Sequence, residues 1–90
     1  MSAERMAQMR KLLEDALRPS RLEIRDDGAA HAGHAGASGG AGHFTIGIES
    51  AAFSGLRPLR RHRLVYDALS GMMPAEIHAL SIDASAPGET

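Results

Sequence analysis

From residue 28 to residue 42 the chain reads GAAHAGHAGASGGAG, a run of Gly, Ala, Ser and His with nothing large and apolar in it. Such a run offers little surface to bury and much backbone freedom, so it can form neither a core strand nor a core helix. We read it as a long flexible loop. Within 90 residues a loop of that length is uncommon unless it has a function. The core must come from the segments on either side, which together suffice for one small domain. The expected organisation is a single domain over 1–90, with 28–42 as a Gly/Ala/His loop and 84–90 as a polar tail.

The flanks carry clear periodicities. Before the loop, Met6, Met9, Leu13, Ala16 and Leu17 recur at three- and four-residue spacing, with Glu4, Arg5, Lys11, Glu14 and Asp15 elsewhere around the turn. This predicts a helix capped by Ser2 and stopped by Pro19. Arg21 to Asp27 sets Leu22 and Ile24 against Glu23 and Arg25, the alternation of a half-exposed strand. After the loop, His43 to Glu49 predicts a strand with Phe44, Ile46 and Ile48 on one face. A turn over Ser50 to Gly55 leads into a second helix opened by Pro58, with an apolar stripe of Leu59, Val65, Tyr66, Leu69, Met72 and Met73 and a stop at Pro74. The last strand spans Glu76 to Asp83. The order is α-β-β-α-β. Strands joined without a helix should run antiparallel, and strands joined through one should run parallel. The fold class is α+β, one three-stranded mixed sheet covered by helices.

Ten basic residues against eleven acidic ones leave the chain near neutral, so no whole-molecule field draws it to nucleic acid or membrane. There are no cysteines. Disulfides are excluded, and so is any Cys-ligated zinc or cluster site built by this chain alone. The start, MSAERMAQMRKLL, lacks the apolar run of a signal peptide, and no stretch is long enough to span a bilayer, so a cytoplasmic protein is expected. No nucleophile elbow, phosphate loop or zinc-protease motif is present, and nothing points to an enzyme.

The chemistry rests on five histidines and on arginine. His31 and His34 form HAGH in the loop, either as solvated residues of a tether or as metal ligands that flexible glycines bring to a site. His43 opens a strand opposite Phe44, and spacing does not decide its role. His62 falls within the stripe of the second helix and reads as a structural histidine bonded through a ring nitrogen to backbone, beside Tyr66. His78 begins the last strand on the side of Leu80 and Ile82, where the core face meets a strand end. All the basic residues except Lys11 are arginine; Arg57, Arg60 and Arg63, with Arg61 beside them, line the second helix as a solvated face or as an anion- or nucleic-acid-binding stripe. With only Phe44, Phe53 and Tyr66 as aromatics, a base-stacking platform is not expected.

FSGLRPLRRHRLVYDAL, followed after a short gap by IHALSI and preceded by the HAGH loop and GHFTI, resembles the BolA family over about Leu12 to Pro87. The histidines in the loop make it most similar to the branch that carries His rather than Cys there. The resemblance implies a sandwich like the class II KH domain and a non-enzymatic role beside a monothiol glutaredoxin, the two proteins coordinating a bridged [2Fe–2S] cluster. It implies His31, with His34 as its rival, and His78 as the ligands on this side, with glutathione supplied by the partner and no cluster held by this chain alone. It also implies a second possibility, a DNA-binding regulator of stress response and cell morphology using the arginine helix. The chain by itself is expected to be a monomer or weak homodimer. Two departures stand out: the family's third helix is short or absent after IHALSI, and the GXXG loop with which KH domains grip nucleic acid is missing. Independently of the resemblance, a thiol-free chain can share a cluster only by offering nitrogen. Imidazole in place of thiolate raises a cluster's potential and makes it labile to mild acid.

Overall fold

The computed structural model describes residues 2–27 and 42–89. Helix α1 (Ser2–Leu17) is followed by strand β1 (Arg21–Asp26), strand β2 (Gly42–Glu49), helix α2 (Pro58–Ala68) and strand β3 (Ile77–Ser85). Short 3₁₀ turns occupy Ala51–Phe53 and Ser70–Met72. Among the described residues no helix follows β3, and none is long and apolar enough to cross a membrane.

The sheet runs β1-β2-β3 with β2 central. Strands β1 and β2 are antiparallel, with Leu22 opposite Ile48 and Ile24 opposite Ile46. Strands β2 and β3 are parallel, with Phe44 opposite Leu80 and Ile46 opposite Ile82. Both directions agree with the connections read from the sequence. The alternation in β2 is strict: Phe44, Ile46 and Ile48 are buried, and the residues between them are not. Met9, Leu13 and Leu17 of α1 pack onto that face together with Phe53, Val65, Leu69, Met72 and Ile77. Leu12 and Met6 sit at the margin, while Ala16 is exposed. Helix α1 ends where Arg18 adopts a left-handed conformation (φ 45°) and its N–H donates to the Glu14 carbonyl at 3.1 Å, just before Pro19.

Three expectations are corrected here. The stripe of α2 is narrower than its sequence suggests: Val65 is buried, whereas Leu59 is 64% and Tyr66 38% exposed. One residue advances a helix by about 100°, so Tyr66, next to Val65, is carried off the core side. The helix also stops at Ala68, and the 3₁₀ turn carries Met72 back into the core ahead of a cis Met73–Pro74 bond. The last strand runs past its expected end at Asp83, into the segment read as a polar tail: β3 continues to Ser85, and Ala86 is buried.

Ser50 closes this end of the sheet. It is 1% exposed, and its hydroxyl donates to the Leu17 carbonyl at 2.5 Å while accepting from the Ala52 N–H at 3.1 Å. Its own N–H donates to the Ser85 carbonyl at 3.0 Å. One small polar residue thus ties the ends of α1 and β3 to the end of β2. Replacing it with alanine strands a buried carbonyl, which costs about 1–3 kcal/mol. Ser50→Ala is expected to lower the unfolding free energy by that amount, read as a lower urea midpoint with an unchanged m-value; a midpoint equal to wild type would show that the hydroxyl is dispensable.

Candidate functional site

The register between β2 and β3 breaks at its beginning. Gly42 stands opposite Ile77, but His43 stands opposite Ala79, so His78 is an extra residue on β3 with no partner across the ladder. Bulges of this kind are rare between parallel strands, and they re-aim a side chain. Before the break, Ile77 faces the core; after it, Leu80 packs against the core. A Cβ on Gly42 would stand 2.6 Å from the ring of buried Phe44, so only glycine lets β2 begin over that ring.

The consequence falls on His78. Counting by twos from Leu80 places it on the core side, but the bulge reverses it and the side chain is exposed. It meets His43, also exposed, with ring centroids 5.0 Å apart and planes inclined by 29°. The expectation that His78 shares the side of Leu80 and Ile82 is therefore corrected. His43, which spacing could not place, becomes its neighbour. Nothing in either residue's immediate sequence signals this pairing, which exists only through the strand register.

His31 and His34 lie outside the described residues. Their attachment points are described: β1 ends at Asp26, which pairs with Phe44, and β2 begins at Gly42. The chain therefore leaves and re-enters the sheet at the end that carries His43 and His78. The exit is held by Asp27, whose carboxylate accepts from Arg25 Nε at 2.8 Å and from the Thr45 hydroxyl. Among the described residues no group of three or more His, Asp or Glu converges as a metal site. A depression of about 310 Å³ lies on the outer sheet face, lined by Glu23, Ile24, Arg25, Thr45, Gly47 and Asp83; it contains no histidine. Both imidazoles are exposed.

The remaining candidates separate. His62 is half-buried, and among the described residues its ring makes no hydrogen bond, so the backbone bond expected of it is not found there. Arg57, Arg60 and Arg63 are exposed and make no ion pair among the described residues. Arg61 does not belong with them. Its side chain is 12% exposed and donates to the Leu56 carbonyl at 2.9 Å, the Ala84 carbonyl at 3.2 Å, and both Glu89 oxygens at 2.6 and 2.7 Å. Four residues before Val65, it shares the inward side of α2, and there it is committed to clamping the end of the chain.

With this geometry in place, comparison with known proteins decides the family. Residues 13–89 match the BolA-like protein family. The chain belongs to the BolA family. It is 42% identical over 83 residues to BolA-like protein 1 of Mus musculus, covering 92% of this chain but 58% of that one, little more than half its length. It is 36% identical over 72 residues to the DNA-binding transcriptional regulator BolA of Vibrio cholerae, covering 80% of this chain and 65% of that one. In structure it is similar to the BolA domain of SufE1 from Arabidopsis thaliana, with a TM-score of 0.82, 42% identity and coverage of 96% and 95%. The α+β arrangement of this BolA-like chain thus agrees with a solved BolA domain.

The Arg61–Glu89 clamp has a pH signature. The hydrogen bond from Arg61, with help from the Ala86 N–H, holds the Glu89 carboxyl at about 2, below its ordinary 4.5. The fold favours the ionised form, so the clamp's stabilisation is complete above the ordinary value and is lost as pH falls from about 4.5 to about 2. Glu89→Gln is expected to lower the melting temperature at neutral pH and to flatten its fall across that interval. Parallel melting curves for the two proteins over the same range would refute the clamp.

Proposed function

We propose that this BolA-like chain is a non-enzymatic adaptor that binds a monothiol glutaredoxin and shares a [2Fe–2S] cluster with it, in assembly, trafficking or sensing of iron. In this reading His78 and one of His31 or His34 offer nitrogen, and the partner with its glutathione offers sulfur. The observation that carries it is the bulge: His78 is turned out of the core onto open surface, at the end of the sheet where the histidine-bearing segment is attached. A chain without cysteine needs a second protein for thiolate. Ligands on an open face suit completion by that protein better than enclosure of a small substrate. Imidazole in place of thiolate removes negative charge, which raises the potential and favours hand-over.

Visible circular dichroism tests this directly. Adding the wild-type chain to cluster-loaded glutaredoxin is expected to change the spectrum, His78→Ala to abolish the change, and single substitutions of His31 and His34 to identify the second ligand. A spectrum unaltered by the wild-type chain would end the reading.

A second reading has its own support. Arg57, Arg60 and Arg63 present unpaired charge along α2 among the described residues, and the Vibrio cholerae relative is named as a DNA-binding regulator. Here the chain would bind duplex DNA weakly by neutralising phosphates. For every phosphate that Arg60→Ala/Arg63→Ala leaves without its arginine, the slope of log affinity against log salt should fall by about 0.9. An affinity and slope unchanged in the double variant would remove this reading.

A further inference from the structure

The sharing of a cluster through His78 and the 28–42 segment gives His43 no role, although the register break sets it against His78. We propose that His43 and His78 together form a seat for one borderline first-row divalent cation, represented by Zn²⁺, which this chain takes up without any partner protein. The proposal does not depend on the cluster reading, since it invokes neither glutaredoxin nor the segment between the first two strands.

The donor chemistry is suitable. Neutral imidazole is a preferred ligand of zinc, nickel and copper, whereas carboxylates and carbonyls favour harder ions. The geometry is within reach. Two nitrogens bound to one tetrahedral zinc at about 2.0–2.1 Å each stand roughly 3.3 Å apart. Rings whose centroids are 5.0 Å apart and whose planes differ by 29° reach that separation by turning about their side-chain torsions. Neither backbone has to move. Both are held: Phe44 next to His43 is buried, Gly42 before it lies against the Phe44 ring, and Ile77 next to His78 is buried. Much of the ordering cost of bringing two ligands together is therefore met by the fold rather than by the metal.

The bulge points the same way. Carrying one extra residue in a parallel ladder forfeits regular pairing, and the register of Phe44–Leu80 continued without the bulge would turn His78 to the core side, away from His43. The irregularity produces a stacked pair of exposed imidazoles. Two imidazoles do not by themselves close a tetrahedral site, so the pair is an exchangeable seat rather than a closed structural zinc centre. Because His78 serves both roles, a cation on the pair excludes His78 from any cluster until it leaves.

The test uses the full chain and Zn²⁺ alone, in a His31→Ala/His34→Ala background that removes the other histidine pair. Isothermal titration, followed in parallel by the imidazole resonances in nuclear magnetic resonance, is expected to show one equivalent bound, with the signals of His43 and His78 shifting together. Adding His43→Ala or His78→Ala should each weaken binding about tenfold or more, the minimum for losing even an outer-sphere partner of a metal. Both positions are exposed, and unchanged far-ultraviolet spectra verify the fold. No zinc uptake in the His31→Ala/His34→Ala background, or uptake indifferent to His43→Ala, overturns the proposal. Either result leaves the glutaredoxin experiment untouched, because no cluster or partner is present in this one.

Discussion

Strands β2 and β3 run parallel with their apolar residues aligned from Phe44–Leu80 onward, and the alignment is uneven only at its beginning, where one extra residue of β3 is inserted. The break has a packing cause. Ile77 and Leu80 both pack toward the core although they are three positions apart, an odd separation that a regular strand would place on opposite faces. A bulge is the geometry that keeps both apolar residues inward, and the residue it expels is His78. Gly42 is the companion requirement, since a methyl group there would enter the space of the Phe44 ring. The site at this end of the sheet is therefore a by-product of keeping two hydrophobic residues turned to the core.

The opposite end is secured by polar contacts. Ser50 binds the carbonyl of Leu17 and the strand terminus at Ser85, and Arg61 binds the Ala84 carbonyl and the Glu89 carboxylate. In so small a core these contacts replace part of what a larger domain would obtain from apolar area alone. They also divide the molecule by role. One end of the sheet is stitched to its helices and to the segment that follows β3. The other presents two imidazoles beside the attachment of the histidine-bearing segment, as a surface completed by a metal ion or a second protein is expected to.

Particular residues show how far periodicity reaches. The alternation of Phe44, Ile46 and Ile48 is a local property of an extended chain, and it appears unchanged in the sheet. The directions of the three strands followed from whether a helix joined them. Leu59, Tyr66 and Arg61 show the limit. On a helix wheel an apolar residue at the edge of a stripe and a basic residue near its centre are ambiguous, because their burial depends on what lies across from them. Here Tyr66 turns outward, while Arg61 turns inward because Ala84 and Glu89 supply acceptors that no local pattern could announce.

What the sequence determined by itself was the class of fold, the order of its elements and the types of donor available: histidine and arginine, never cysteine. Those follow from chemistry and spacing within one segment at a time. The pairing of His43 with His78 and the withdrawal of Arg61 from the arginine stripe were decided only in three dimensions. The physical reason is that strand register and acceptor position are set by packing between residues far apart in the chain, and a one-residue change of register reverses the face on which a side chain stands.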